Sequence, residues 1–438
     1  MDEPKIALAL SEWETISPDK DARLENIFIS DDAAIRTDIR YMSESNILEL
    51  VDLRSGLSVT STSYVGRVDI GNVVITIRPK VTGKPLLRLM RYAYGLRNLK
   101  LFSSTGYSSE VDMFQDLLTK QLAAEAWELA LRGLQRKYIS TDQELTSPKG
   151  RIDLQKIARR DTTKMAGLPC HYHPRLQDCL LNQVLYAGLN LGTRITEDIP
   201  LRTELRRISS LFQDSVSRIK LDRDTLRRLN REMDRLSVAY RPAVRIIDVL
   251  LQSEGISLDE SALMVKIKGF MFDMNRFFQA LMSRFLRDNL SGYLIQDEYK
   301  IRSMMSYVPG YNPRNKRAPT PRPDYVIQKD SKIISMLDAK YRDLTEKPLP
   351  SGMLYQLSVY ALSQKAGGSA TILYPTDIFG AMEERIQIKD PISGDSLGQV
   401  ILRPVNISYL DEMISGSAGT AVQRERTKYA RQLAFGKN

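Results

Sequence analysis

Three charged side chains could act together near the ends of two neighbouring apolar segments. Asp324 opens the segment DYVIQK, and Asp338 and Lys340 stand one residue apart at the end of KIISMLDAK. Because strand side chains alternate between faces, we expect Asp338 and Lys340 to share one face. Magnesium is commonly held by one or two carboxylates, water and a substrate phosphate. A lysine beside such an ion can orient the attacking water or stabilise developing charge. The pattern predicts metal-assisted phosphodiester hydrolysis, with Asp324 and Asp338 as the metal ligands.

Gln356 and Tyr360 follow on the next predicted helix, four residues apart. This spacing places both side chains on one helix face, where they would brace the site or contact the substrate. The alternative is a surface hairpin with ordinary charged residues, because a lone D-x-K is a weak motif. The preceding Pro-Asp pair and the following Q-x-x-x-Y pattern favour the functional interpretation.

The elements that must position these residues lie in a predicted α/β region over residues 258–438. Hydrophobic periodicity predicts an amphipathic helix over 272–290, and the stretch 321–360 reads as strand, turn, strand, loop and helix. Further predicted elements are a strand near 294–302, a strand over 370–374, a hairpin within 387–405 and a closing basic helix. Together they predict a mixed sheet that carries the site at the ends of two adjacent strands.

The rest of the chain divides into two regions of different character. Residues 1–105 are β-rich, with short alternating runs and a tight hairpin turn at 70–73. Residues 106–257 are predicted to be helical, beginning with a long helix within 111–137. The predicted fold class is therefore α+β and multidomain, with boundaries near residues 105 and 257.

Composition narrows the class of protein. The chain has 438 residues and a net charge of +10, which favours a polyanionic partner. Two cysteines imply no disulfide framework, and the first residues do not resemble a signal peptide. No apolar stretch approaches the roughly 18 residues of a membrane span. We expect an intracellular, cytoplasmic protein with no membrane association.

A basic loop runs directly into Asp324. Its cations are candidates for gripping phosphates beside the cut, although a solvated surface loop is an equal alternative. These residues are Arg314, Lys316, Arg317 and Arg322. The closing helix carries a similar set, Arg424, Arg426, Lys428 and Arg431, for which a solvated face is the favoured interpretation.

All the cysteines and histidines fall within one short segment, as Cys170, His171, His173 and Cys179. Zinc takes four such ligands, so a metal site must be considered. Adjacent Cys170 and His171 cannot easily reach one tetrahedral centre, and the usual paired cysteine spacing is missing. A structural segment with Cys179 buried is the favoured interpretation.

Several motifs carry a family resemblance. The Pro-Asp pair, D-A-K and Q-L-S-V-Y resemble the PD-(D/E)xK nuclease superfamily, in the branch with a trailing Q-x-x-x-Y helix. A longer ordered set resembles the McrC family, the nuclease subunit of the McrBC modification-dependent restriction system. This set comprises YVGRVDIGNVVITIRPK, PKGRIDL, DCLLNQVL, DMNRFFQ, the Pro-Asp pair and DAKY.

This resemblance implies a function and a partner. McrC-like proteins bind McrB, a hexameric AAA+ GTPase that recognises methylated DNA and translocates. The McrC-like subunit stimulates the GTPase and supplies Mg²⁺-dependent cleavage of double-stranded DNA. The chain lacks a G-x-x-x-x-G-K-[ST] phosphate loop, so the motor would be another polypeptide. By the same resemblance, the β-rich N-terminal region would dock on the motor.

One position departs from the family pattern. The helix before the active-site strands normally carries an acid after an aromatic pair, but here Gln279 follows Phe277 and Phe278. An amide contributes no charge, so we expect Asp297 or Glu298 to compensate. Two alternatives to the restriction nuclease stay open. One is a non-catalytic nuclease-like adaptor that binds DNA, and the other is a stand-alone RecB-like DNA repair nuclease.

Overall fold

The computed structural model describes residues 6–81, 83–96, 114–158, 167–196, 198–253, 268–302, 304–342, 344–345, 348–364, 367–416 and 419–436. Contacts group the chain into two compact units, Met1–Leu96 with Met271–Asn438, and Arg97–Phe270. The N-terminal segment and the C-terminal segment thus belong to one unit. The division into three domains, with boundaries at residues 105 and 257, stays a prediction.

The N-terminal segment contains the predicted strands and two helices. Its elements are β1 (Ile6–Ser11), β2 (Thr15–Ile16), α1 (Ala33–Glu44), β3 (Leu48–Leu53), β4 (Gly56–Ser61), β5 (Tyr64–Ile70), β6 (Val73–Arg78) and α2 (Gly83–Tyr94). The hairpin between β5 and β6 is confirmed, because Ile70 pairs with Val73 and Gly71 has a φ of 55°. Glycine adopts this left-handed conformation without a Cβ clash. The helix α1 was not predicted.

The second unit contains the predicted helices and a set of short strands. Its elements are α3 (Phe114–Arg132), β7 (Lys137–Tyr138), β8 (Thr141–Leu145), β9 (Arg151–Ile152), α4 (Leu154–Ala158), β10 (Leu168–Tyr172), β11 (Arg175–Leu176), α5 (Leu180–Ile195), α6 (Ile199–Ser210), α7 (Arg223–Glu232) and α8 (Arg241–Ser253).

The purely helical description of this region is wrong between α3 and α5. Strands there form a three-stranded sheet, β8-β10-β9, and a two-stranded sheet, β11-β7. These strands are short and mostly polar, so they have no alternating apolar pattern that would predict them. They are strands because they form hydrogen bonds with neighbouring strands. Gly150 makes the turn into β9 with a φ of 70°. An added Cβ there would lie 2.5 Å from the His171 carbonyl oxygen, so the turn requires glycine.

The C-terminal segment alternates strands with helices. Its elements are β12 (Lys268–Asp273), α9 (Met274–Asn289), β13 (Leu294–Asp297), β14 (Tyr325–Lys329), β15 (Lys332–Ala339), α10 (Ser351–Leu362), β16 (Gly368–Thr376), β17 (Glu384–Lys389), β18 (Ser396–Asn406), α11 (Ile407–Ser415) and α12 (Thr420–Phe435). The predicted helix, strand–turn–strand unit, hairpin and closing basic helix are all present. The helix α11 was not predicted.

A six-stranded sheet dominates this segment, in the order β13-β14-β15-β16-β18-β17. The pairs β15–β16 and β16–β18 are parallel, and the other pairs are antiparallel, so the predicted mixed sheet is confirmed. The helix α10 covers one face, where Leu357 and Tyr360 pack against Met336. The helix α12 contacts β15 through the Ser335 hydroxyl, which donates to the Ala434 carbonyl at 2.9 Å.

A four-stranded sheet, β1-β6-β5-β12, combines three strands of the N-terminal segment with the first strand of the C-terminal segment. The strand β12 leads directly into α9, the helix that faces the candidate site. Next to it, the Met274 amide donates to the Ser63 carbonyl at 3.0 Å. Elements from residues 6–78 are therefore attached to the start of the helix that supports the site.

Candidate active site

The hairpin of β14 and β15 brings Asp324 to the end of β15. The two strands are antiparallel, with Tyr325 opposite Leu337, so Asp324 lies across from Asp338. The Ala339 amide donates to Asp324 Oδ2 at 2.9 Å, which fixes this carboxylate against the neighbouring strand. The antiparallel register thus unites two acids that stand 14 positions apart in the sequence.

Lys340 lies between the two carboxylates. Its Nζ is 3.0 Å from Asp338 Oδ2 and 3.5 Å from Asp324 Oδ2. The predicted placement of Asp338 and Lys340 on one face is confirmed. Beyond the end of β15, the Lys340 amide donates to the Leu373 carbonyl at 3.0 Å, so β16 holds the backbone of this lysine.

The electrostatics of Asp338 are unusual for an aspartate. Its side chain is 3% exposed, and burial raises its pKa to about 7, with the nearby Asp324 charge acting in the same direction and Lys340 opposing it. Burial by itself would lower the pKa of Lys340, but Asp338 and Asp324 outweigh burial and raise it. The lysine therefore stays charged while Asp338 titrates near neutral pH.

One oxygen of each carboxylate is available for a ligand. Asp338 Oδ1 is buried and has no hydrogen-bond partner among the described residues. The donors that bind Asp324, which are Gln279, Ala339 and Lys340, all contact its Oδ2. A buried carboxylate oxygen without a partner is costly unless a cation or a water occupies the site. The two carboxylates are the kind of oxygen donors that a divalent cation takes, so Asp324 and Asp338 are the residues that could hold one.

Gln279 lies inside this site. Its Nε2 donates to Asp324 Oδ2 at 3.0 Å and approaches the Ala339 carbonyl at 3.4 Å. The Tyr325 hydroxyl donates to the Gln279 backbone carbonyl at 2.7 Å and fixes this turn of α9. The amide thus holds the Asp324 carboxylate in place but adds no negative charge.

The expected compensation by Asp297 or Glu298 is wrong. Asp297 accepts a hydrogen bond from the Ser283 hydroxyl at 2.9 Å and pairs with Arg287 at 2.7 Å. Glu298 lies 3.4 Å from Arg322. Across the described ranges, no cluster of three or more His, Cys, Asp or Glu side chains could hold a metal. The candidate site therefore has two acids and one lysine.

Gln356 and Tyr360 brace the segment in front of Asp324. The Tyr360 hydroxyl donates to the Arg322 carbonyl at 2.9 Å and accepts from Gln356 Nε2 at 2.7 Å. Burial raises the pKa of Tyr360, and the charges of Asp338 and Asp324 raise it further. These contacts favour a positioning role over substrate contact, because they fix the backbone two residues before Asp324.

The basic loop is exposed and lies directly before the site. The Lys316 amide donates to the Asn312 side chain at 2.8 Å, which closes a turn, and Arg322 pairs with Glu298. Arg314, Lys316 and Arg317 have exposed side chains. Their contact with DNA stays a prediction.

The basic side chains of the closing helix, α12, have two different environments. Arg426 donates to the carbonyls of Met413 and Gly416, so it has a structural role. Arg424, Lys428 and Arg431 are exposed, as expected for a solvated face.

The cysteine and histidine segment is structural. His171 Nδ1 lies 2.7 Å from Asp142 Oδ1, and this hydrogen bond lowers the pKa of Asp142. Cys170 and Cys179 are buried, and the Cys179 thiol approaches the Gln135 carbonyl at 3.8 Å. Among the described residues, these four side chains form no group of three or more that could hold a metal ion. The expected burial of Cys179 is confirmed.

Two residues beside the site were not found by sequence reasoning. Asn275 Oδ1 accepts a hydrogen bond from the Tyr341 amide at 2.8 Å, directly after Lys340. Glu12 is buried, and Tyr341 is among the groups that influence its pKa. Asn275 stands in the DMNRFFQ motif, and its place in that motif is the sequence signal that marks it. No local signal marks Glu12, because its neighbour is more than 300 positions away.

Comparison with known proteins decides the family. A family model described as McrBC 5-methylcytosine restriction system component matches residues 59–375. The chain belongs to the McrBC family. The matched region contains the whole Asp324, Asp338 and Lys340 cluster together with Asn275 and Gln279.

One solved structure shows the same fold, and a second, weaker match comes from a related complex. One match comes from an assembly of Thermococcus gammatolerans McrB AAA+ hexamers with bound McrC, with 20% identity and a TM-score of 0.57. It covers 96% of this chain and 98% of that chain. A second match, from the Thermococcus gammatolerans McrBC complex, has 20% identity and a TM-score of 0.44. It covers 65% of this chain and 88% of that chain. No curated protein matches. No described helix is long and apolar enough to cross a membrane.

Proposed function

We propose that this McrBC-family chain is the endonuclease subunit of a restriction complex that cuts methylated double-stranded DNA. In this proposal its C-terminal segment is a PD-(D/E)xK nuclease domain that uses Mg²⁺. The observation that carries the proposal is the convergence of Asp324, Asp338 and Lys340 at the end of β15, where Asp338 Oδ1 is buried and has no hydrogen-bond partner among the described residues.

Asp324 and Asp338 would hold the cation through their carboxylates. Magnesium bound there would supply Lewis-acid stabilisation of the charge that builds on the phosphate. Two protein carboxylates suit an ion that keeps several waters and takes oxygen from its substrate. The Oδ2 atoms are held by donors from the protein, so both carboxylates are oriented before the substrate binds.

Lys340 contributes a fixed positive charge. Its ammonium group donates to both carboxylates and stays protonated, because the two acids raise its pKa. An ammonium group at this position can orient a water for attack or stabilise the leaving oxygen. Gln356 and Tyr360 hold the chain before Asp324, and Gln279 holds Asp324 itself.

A McrB-like hexameric AAA+ GTPase is the proposed partner. The solved assembly that shares this fold consists of McrB AAA+ hexamers with bound McrC, and the match covers 96% of this chain. The sequence contains no phosphate-binding loop motif, so GTP hydrolysis would belong to the partner. The N-terminal β-rich segment is the proposed docking region.

The decisive experiment compares Asp338→Asn with Asp330→Asn in a complex with the partner GTPase, GTP, Mg²⁺ and methylated DNA. Asp330 lies in the exposed turn of the same hairpin with a φ of 50°, a conformation that asparagine tolerates. Asp338→Asn should abolish cleavage and leave GTPase stimulation intact, while Asp330→Asn should preserve both. Cleavage by the Asp338→Asn complex would show that the assigned site is not the nuclease centre.

A non-catalytic adaptor is the second candidate, and Gln279 favours it because the site has one acid fewer than the family pattern. If the wild-type complex binds methylated DNA and hydrolyses GTP but makes no cuts over a range of Mg²⁺ concentrations, this function replaces the first. A stand-alone repair nuclease would instead cut DNA without the GTPase and form no complex with it.

A further inference from the structure

Asn275 connects the N-terminal segment to the candidate active site. Its side-chain oxygen accepts from the Tyr341 amide at 2.8 Å, and its Nδ2 donates to the Ser63 hydroxyl at 2.7 Å. Ser63 immediately precedes β5 and is fully buried. One amide side chain thus joins two segments that stand almost 280 positions apart.

The bond to Tyr341 matters because β15 has already ended. Its last residue is Ala339, so the following backbone needs other partners. Lys340 donates its amide to Leu373, and Tyr341 donates its amide to Asn275. The peptide units on both sides of Lys340 are therefore fixed, one by β16 and the other by Asn275. The location of the Lys340 ammonium depends on both anchors.

The side chain of Asn275 is not required to cap α9. Asp273 is the N-cap residue, and its Oδ1 accepts from the amides of Asn275 at 2.9 Å and Arg276 at 3.3 Å. Gln279 follows Asn275 by four residues and holds Asp324. The two amide side chains lie along one side of the helix and hold the two strands that carry the site.

A second contact ties the same strand end to the N-terminal segment. The Arg342 guanidinium lies 5.3 Å from the centre of the Trp13 ring. The Trp13 amide approaches the Thr62 carbonyl at 3.4 Å, so Trp13 and Ser63 belong to adjoining pieces of the N-terminal segment. Tyr341 and Arg342, the two residues after Lys340, are both held by the N-terminal segment, one of them through Asn275.

We propose that Asn275 is a positioning residue for Lys340 and that the Ser63–Asn275–Tyr341 chain couples the N-terminal segment to the active site. The inference rests on the proposed nuclease function. A displacement of the N-terminal segment, where the motor is proposed to dock, moves the peptide after Lys340 and with it the lysine charge. The coupling passes through buried hydrogen bonds, which lose their stability when either partner shifts.

Four variants of the full chain, each in complex with the partner GTPase, test this inference. Asn275→Ala removes both bonds, Asn275→Asp keeps the acceptor for Tyr341, and Ser63→Ala removes the N-terminal partner. Asn289→Ala is the matched control, because this buried amide lies at the other end of α9, where its Nδ2 donates to the Phe285 carbonyl at 2.8 Å.

Asn275→Ala should lower kcat for DNA cleavage by about 100-fold with a change in KM below about threefold, since misplacement of a catalytic group costs on this scale. Asn275→Asp and Ser63→Ala each keep the acceptor for the Tyr341 amide and lose the donation to Ser63, so both should lower kcat by only about tenfold. Asn289→Ala should lower Tm and leave kcat unchanged. Equal kcat values for Asn275→Ala and Asn289→Ala would overturn the inference.

Acetylation of lysines, followed by mass spectrometry, separates this inference from the nuclease function. Lys340 is protected in the wild type by two carboxylates, so its labelling should rise several-fold in Asn275→Ala while that of Lys329 stays constant. Unchanged Lys340 labelling would refute the positioning role even if cleavage were lost. If the wild type makes no cuts but the labelling change occurs, the proposed function fails and the positioning role survives.

Discussion

Gln279 donates its side-chain amide to Asp324 at 3.0 Å, at the position where the resemblance to the McrC family implies an acid. A neutral donor therefore stabilises one carboxylate of the site instead of adding a third. The site formed by Asp324, Asp338 and Lys340 carries a net charge of about −1 when both acids are ionised. This charge is low for binding a divalent cation, which makes the site sensitive to substitution at residue 279.

The substitution Gln279→Glu should make the thermal stability of the protein depend more strongly on Mg²⁺. A glutamate loses the hydrogen bond to Asp324 and places a like charge beside it, which destabilises the unliganded protein by roughly 1–3 kcal/mol. Added Mg²⁺ neutralises the extra charge, so the Mg²⁺-induced rise in Tm should exceed that of the wild type. Thermal unfolding with and without Mg²⁺ measures both effects. An equal Mg²⁺ response in the two proteins would place residue 279 outside the metal site.

Mg²⁺ affinity should fall as the pH is lowered through 7. Burial raises the pKa of Asp338 to about 7, so a proton competes with the cation for this carboxylate below that pH. Binding of the cation favours the ionised form, and the affinity should change by up to about tenfold per pH unit below pH 7. Calorimetric titration of the isolated chain at pH 6 and pH 8 tests this. Asp338→Asn should bind weakly at both values, and a pH-independent wild-type affinity would exclude Asp338 as a ligand.

Removal of the Tyr360 hydroxyl should weaken the support of Asp324. Tyr360→Phe leaves the Arg322 carbonyl without its donor at 2.9 Å and should cost about 1 kcal/mol of stability. Because Arg322 stands two residues before Asp324, the cleavage rate should fall by about tenfold, as expected for a slightly misplaced ligand. Tyr355→Phe is the control, since Tyr355 lies on the same helix but is 68% exposed. If both variants behave alike, the bracing role of Tyr360 is wrong.

Glu12 should make the stability of the protein decrease with rising pH. Burial raises its pKa from 4.5 to about 8, and neither carboxylate oxygen makes a hydrogen bond of good geometry within the described residues. The folded state keeps the proton over this interval while the unfolded state releases it. The stabilising contribution is complete below pH 4.5 and is lost as the pH rises through about 8, by up to about 1.4 kcal/mol per pH unit.

Glu12→Gln removes this titration. The variant should gain Tm relative to the wild type at pH 8 and show no gain at pH 5, as measured by thermal unfolding. Glu49→Gln, at an exposed position of β3, serves as the control and should show no such pH dependence. A constant Tm difference between Glu12→Gln and the wild type across this range would mean that Glu12 is already ionised in the folded protein.

The local features of the site follow from the order of the amino acids. Strand alternation placed Asp338 and Lys340 on one face, and the turn between β14 and β15 carried Asp324 back to them. Helical spacing placed Gln356 and Tyr360 together on α10. These predictions succeeded because the period of a strand or helix depends on neighbouring residues alone.

The distant residues that support this site are known only from the packing of the folded chain. The contact of Gln279 with Asp324, the bridge from Ser63 through Asn275 and the burial of Glu12 depend on how separate elements pack. The polar strands β8 and β9 were missed for the same reason, because their partner β10 defines them rather than any pattern of their own. Pairing and burial between remote segments leave no periodic pattern in the sequence. The residues of the site itself could therefore be predicted from the sequence, whereas the distant residues that hold them in place could not.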